Sequence, residues 1–313
     1  MASIYVSSLA GGGGTGTKLS PYTLTEAIAI INAGTAPLDG ETCWVKADGT
    51  YNHDGFTITS TGGAAAYKVF EGYTSSEGDG GIATIMPVSG TVAQIFYCTA
   101  NYWHIKNITI DGNAKQYGTA ALFRVNVVNS FVENCKALNG KARGFWDTYY
   151  MLGCSAIGNG INGFEGNNLQ VNCYASNNTT YGFSGGREIG CISANNGNDN
   201  YYFPVLMLNC ISNGGTGHGI NMTRASIVNN VVCMNSPVAK QGLNYFYNVT
   251  TKSNIATGIV FYNNQSNCNQ LSVLGSYSIL NPDYTNAPNG NYARQSKVMD
   301  SLGYQQIGQV GSL

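Results

Sequence analysis

Five cysteines recur through the middle of the chain at an almost constant interval. Cys135, Cys154, Cys173, Cys191 and Cys210 are separated by 19, 19, 18 and 19 residues. Each sits in the same local frame: SFVENCKALNG (130–140), YMLGCSAIGNG (150–160), LQVNCYASNN (169–178), REIGCISANNG (187–197) and LMLNCISNGG (206–215). Asn230 of SIVNNVVCMNS (226–236) takes the next place, and Ile108 of WHIKNITIDGN (103–113) the place before Cys135. A short fixed period marks a stacked repeat, in which each unit buries its apolar side only against its neighbours. Two residues after the cysteine stand Ala137, Ala156, Ala175, Ser193 and Ser212, and two before it Leu152, Val171, Ile189, Leu208 and, in the coil of Asn230, Val228. Period-2 alternation predicts that these columns point inward together. The cysteines are then a buried column of free thiols acting as small apolar groups.

A second signal follows each of these strands: RGF (143–145), NGF (162–164), YGF (181–183), YYF (201–203), HGI (218–220) and QGL (241–243). Its glycine suits a tight turn, and the next apolar residue enters the core. Between the two signals lie Asn139, Asn159, Asn178, Asn196 and Asn235. Asparagine tolerates the left-handed turn conformation and can hydrogen-bond stacked copies of itself. Short strands with two turns per period predict a solenoid whose coils pair at about 4.8 Å.

These repeats resemble those of right-handed parallel β-helix proteins, the pectin/pectate-lyase-like superfamily. The opening IYVSSLAGGGGTGTKLSPYTLTEAIAIINAGT…GETCWVKADGTYN resembles the start of that group, where an extended segment and a Gly-rich loop lead to a helix. Thr23-x-x-Glu26 forms a capping box, and Leu24, Ala27, Ile28 and Ile31 one apolar helical stripe. The expected fold is therefore all-β: a single right-handed parallel β-helix of roughly ten coils behind a short N-terminal capping helix. Residues 1–40 form the N-terminal segment and helix, 41–280 the solenoid, and 281–313 an irregular closing segment.

Charged residues are only 10% of the 313, the net charge is −1, and no basic block is present. Nucleic acid, which needs many Lys/Arg–phosphate contacts, is not an expected partner. No signal peptide and no membrane-spanning stretch is recognisable, so the chain is expected to be made in the cytoplasm, as a virion component or for later release.

A β-helix presents outward columns along which a polymer can lie. The residue before each turn glycine gives Arg143, Asn162, Tyr181, Tyr201, His218 and Gln241; the position after the apolar turn residue gives Trp146, Glu165, Ser184, Pro204, Asn221 and Asn244. With Asp147 and Asp199, these combine aromatic faces, amides and a few charges, which suits a sugar chain. His218, Tyr181, Tyr201, Arg143, Glu165 and Asp199 are the candidate catalytic residues; Trp146, Asp147, Asn162, Asn221 and Arg224 the candidate substrate contacts. Gly217-His218-Gly219 resembles the Gly-His-Gly motif of polygalacturonases. Asn200-Tyr201 stands where that family has paired aspartates, with Asp199 one residue out of register, and Arg224-Ala225-Ser226 departs from its Arg-x-Lys. Calcium-dependent pectate lyases carry an acidic cluster, whereas Glu165 and Glu188 fall at different coil positions, so neither metal nor cofactor is indicated. A metal-free lyase would use Arg143 or Arg187 to neutralise a uronate and Tyr181, Tyr201 or His218 as base. Lys106 and Glu133 fall in the column read as inward, in irregular early coils where both side chains are expected to reach solvent. Two functions follow: a polysaccharide lyase or hydrolase, or a non-catalytic glycan-binding or structural β-helix like a phage tail fibre, tailspike or adhesin, where homotrimers are common.

Overall fold

The computed structural model describes residues 3–222, apart from 90, 91 and 167, and short segments between 226 and 272. Asn235 and the segment 281–313 lie outside the described residues. The chain forms two compact units, Met1–Leu169 and Gln170–Leu313.

In the first unit every coil contributes up to three short strands, and each pairs in parallel with its counterparts. The first face stacks Phe56–Ile58, Gln94–Cys98, Ala121–Val125, Arg143–Trp146 and Phe164–Glu165. The second stacks Thr42–Lys46, Lys68–Tyr73, Trp103–Lys106, Phe131–Glu133 and Tyr150–Leu152. The third stacks Thr50–Asn52, Ala83–Met86, Ile108–Asp111, Lys136–Leu138 and Ser155–Ile157. The helix Leu24–Asn32 carries the expected capping box and buries Leu24, Ala27, Ile28 and Ile31. Its last residue is tied to the first face, Asn32 donating to the Thr57 carbonyl at 2.8 Å and accepting from Thr59 N at 2.9 Å.

The first-face phenylalanines form the core. Phe96, Phe123, Phe145 and Phe164 are fully buried on successive rungs, with ring centroids 5.6, 4.9 and 5.0 Å apart. Gly144 precedes one of them because a Cβ there would lie 2.7 Å from the Gly163 carbonyl oxygen. Cys135 and Cys154 occupy the expected buried column, level with Ile108, and all eight described cysteines are buried thiols not joined in disulfides.

In the second unit, Phe183–Ile189 and Tyr201–Leu208 each run through both the first and second faces, with an irregularity at Gly186/Arg187. The third face stacks Tyr174–Ser176, Ile192–Ala194, Ile211–Asn213 and Val232–Met234. The buried amides of Asn178, Asn196 and Asn200 hydrogen-bond in sequence, at 3.0 and 2.8 Å.

Three expectations are corrected. The inward residue before the cysteine stands three positions upstream, not two: Val132, Met151, Gln170, Glu188, Met207 and Val228 are buried, whereas Leu152 is 43% exposed. The residue directly before the cysteine explains this. Asn134, Gly153, Asn172, Gly190 and Asn209 all have φ between 51° and 65°, so the chain turns there and alternation does not pass through. Val231, not Asn230, follows Cys210 in its column, since Ile211 pairs with Val232; Asn230 is outside the described residues. The left-handed corner after the third strand is Asn139, Gly158, Asn177, Asn195 and Gly214, so Asn159, Asn178 and Asn196 are the buried residues that follow it.

Glu188 and Gln170 are fully buried, and neither side chain has a hydrogen-bond partner. Burial pushes the Glu188 pKa well above the ordinary carboxylate value. The folded chain then keeps a proton that the unfolded chain releases, so stability should fall as pH rises above about 4.3. Denaturant unfolding at about pH 5 and about pH 8 should show this decline, and Glu188→Gln should flatten it. For the core, Phe145→Ala should cost about 3–5 kcal/mol, read from the same unfolding curves.

Candidate functional site

On the first face of the first unit, one outward column runs Tyr97, Arg124, Trp146, Glu165. The Arg124 guanidinium lies 4.0 Å from the Trp146 ring centre and 5.2 Å from that of Tyr97, a cation held between two aromatic faces. It also pairs with Asp147 at 2.9 Å. Arg143 pairs with Glu165 at 2.7 Å and approaches Trp146 at 5.2 Å. Asn162 is buried, contrary to its expected outward position, and its amide donates to Glu165. The structure thus brings Arg143, Trp146, Asp147, Asn162 and Glu165 together and adds Arg124 and Tyr97. These two are hard to see in the sequence because Leu122 and Ile95 stand where the turn glycine would have announced the rung.

In the second unit, Asp199 is in register after all. Tyr201 pairs with Phe183 and Ile220, which sets Asp199 level with His218. The buried Asp199 carboxylate accepts from His218 N at 2.7 Å and from Asn221 Nδ2 at 2.8 Å, and lies 3.0 Å from His218 Nδ1. Gly217 is needed beside it, because a Cβ there would meet Asp199 Oδ1 at 2.7 Å. A proton on Nδ1 facing the carboxylate leaves Nε2 as the basic nitrogen, on a side chain 40% exposed.

Tyr201 does not belong to this group. It is fully buried, stacked on Phe183 at 5.1 Å, and its hydroxyl donates to the Cys191 carbonyl at 2.9 Å. Burial raises its pKa well above the ordinary value, the opposite of what a base needs. Its neighbour Tyr202 takes the outward rung, level with Ser184 and Asn221, in place of Pro204. Tyr181 stacks on Tyr202 with ring centres 4.1 Å apart, and burial raises its pKa too. Arg224 and Gln241 lie outside the described residues.

The second face of the first unit carries a group absent from the expected site. Glu71, Lys106 and Glu133 are successive rungs of one column, Glu71 buried and the other two partly exposed. Lys106 Nζ lies 3.5 Å from Glu71, and Glu133 lies 2.7 Å from His104 Nε2. Lys106 and Glu133 are therefore outward but do not pair with each other. Beside them runs a second column, His104, Phe131, Tyr150, with the His104 ring on Phe131 at 3.8 Å. Titratable groups in mutual contact beside aromatic rings are a recognised sign of a functional site. Among the described residues, no three His, Cys, Asp or Glu side chains converge as metal ligands.

No family model matches this sequence, and no curated protein matches it. By structure the chain is similar to pectate lyase Pel9A, with a TM-score of 0.62 and 16% identity over 93% of this chain and 82% of that one. It is also similar to a rhamnogalacturonan lyase, with a TM-score of 0.52 and 15% identity over 83% of this chain and 74% of that one. At these identities the likeness is one of fold, and the fold is the parallel β-helix.

Burial holds the His104 imidazole below its ordinary pKa, against the pull of Glu133. The unfolded chain then takes up the proton first, so this group's contribution to stability should be lost as pH falls below about 6.5. An NMR titration should find the His104 imidazole still neutral at a pH where an unperturbed imidazole is mostly protonated.

Proposed function

We propose that the protein is a carbohydrate-active β-helix, a polysaccharide lyase or hydrolase that takes an extended glycan along an outer face of stacked strands. The observation that carries this reading is the His218–Asp199–Asn221 arrangement: an exposed imidazole fixed by a buried carboxylate, with Nε2 left to accept a proton. Elimination is the better fit. Two-carboxylate hydrolysis needs two carboxyl groups flanking the bond. Asp199 is buried, and Asp147 and Glu165 are each held by an arginine. In elimination, the proton beside a uronate carboxylate moves to His218 Nε2. The carbon–carbon double bond forms, the glycosidic C–O bond breaks, and water protonates the departing oxygen. That two proteins of like fold are lyases of pectate and rhamnogalacturonan supports the substrate class.

One observation favours a second reading, a non-catalytic glycan-binding or structural rod of the tail-fibre, spike or adhesin kind. Arg124 in the Trp146 column and Arg143 beside it are already neutralised by their own acids, as a passive binding surface would have them.

A panel of acidic and neutral polysaccharides, read by ultraviolet absorbance of unsaturated products and by reducing ends, tests this. His218→Ala should lower turnover by about 10²-fold or more while glycan binding persists. Binding without product from any substrate would establish the second reading. Activity that survives His218→Ala but is lost in Lys106→Ala or Glu133→Gln would move the chemistry to the second face.

A further inference from the structure

The first unit also holds a cleft of about 300 Å³, near the lower end of the size range of small-molecule sites. It is lined by Ser7, Lys18, Lys46, Tyr73, Thr74 and Ser75, together with a proline. Lys46 and Tyr73 are paired rungs of the second face, and Lys18 comes from the Gly-rich loop, its ammonium 5.9 Å from the Tyr73 ring centre. No carboxylate lines the cleft. Each lysine has an acid beside it, which it shares with hydroxyl groups of the surrounding wall. Asp48 accepts from Ser7 Oγ at 2.7 Å, Ser8 N at 3.0 Å and Ser8 Oγ at 2.8 Å. Lys46 Nζ stands 3.6 Å from it, beyond hydrogen-bond distance. Lys18 donates to Glu77 at 2.9 Å, and Glu77 also accepts from the Tyr5 hydroxyl at 3.1 Å. An ammonium has three donors, so both lysines keep donors for a ligand.

Two ammonium groups, several hydroxyls and an aromatic ring around a space this small suit one sugar ring that carries a negative charge. We propose that this cleft binds a single anionic pyranose, through a carboxylate or a phosphate or sulfate ester held by Lys18 and Lys46, with the ring hydroxyls met by Thr74 and Ser75. Two cations, each beside an acid of its own, are too few for a nucleic acid, whose binding accumulates many phosphate contacts. The site shares no residue with the His218 group or with the arginine column, so it stands apart from the proposed catalytic function.

The test is titration calorimetry on the full chain with galacturonate, glucose 6-phosphate and glucose, at low and at high salt. The charged sugars should bind at low salt and weaken as salt rises, while glucose should not bind. Preference for galacturonate would assign the anion as a carboxylate, and preference for the phosphate an ester. Lys18→Ala and Lys46→Ala should each weaken binding by about tenfold or more. Both variants should stay folded by circular dichroism, because Glu77 keeps Tyr5 and Asp48 keeps its serines. His218→Ala should bind the charged sugars unchanged, which separates this site from the catalytic reading. Equal binding of glucose, or unchanged binding in folded Lys46→Ala, would overturn the assignment.

Discussion

Two left-handed backbone residues in each repeat determine what the rest of the molecule can be. One stands directly before the buried cysteine and the other four residues after it, as in Asn134 and Asn139, or Asn172 and Asn177. Between them fits a strand of three residues, such as Lys136–Leu138 or Tyr174–Ser176. Only glycine and asparagine occupy these corners at small cost, which is why a chain so rich in both can coil so tightly. The corners also decide which side chains enter the core. They place the cysteines, the alanines that follow and the first-face phenylalanines inside, and they turn the residue two before each cysteine out to solvent.

The repeat, the N-terminal helix and the parallel β-helix architecture were all legible in the sequence, because period, capping box and apolar stripe are local patterns that packing then reinforces. The orientation of one column was not. Leu152, Val171, Ile189 and Leu208 look like core residues, and Gln170 and Glu188 look like surface. The turn at the corner reverses both assignments. Alternation is a rule for continuous strands, and here the strand is interrupted just where the rule was extended. Asn230 misled for a related reason: that coil is two residues longer than the usual 19, which moves Val231 into the core column.

The site was readable to a similar degree. His218, Asp199 and Asn221 do meet, though Asp199 looked one residue out of step because YYF was aligned with YGF by its phenylalanine. The packing aligns Tyr201 with Phe183 instead, which makes Tyr201 core and frees Tyr202 to face outward. The His104, Lys106 and Glu133 group stayed hidden behind the misoriented column. A Lys and a Glu in a position read as apolar were the one trace of it, and an unexplained polar pair in an apolar column is better taken as evidence against the column.

The three-residue strands of the third face have a consequence for how such a chain can diversify. In Lys136–Leu138 and Ser155–Ile157 only the central alanine is buried, and the same holds for Ser212 in Ile211–Asn213. The core asks for one small side chain at the centre of each rung, with Ser176 and Ala194 buried beside it on two of them, and leaves the first position of the strand open. Lys136, Ser155, Tyr174, Ile192 and Ile211 already differ in charge, size and polarity on equivalent rungs. This side of the coil can therefore change its surface chemistry one rung at a time without disturbing the stacked interior, a freedom the phenylalanine-filled first face does not have.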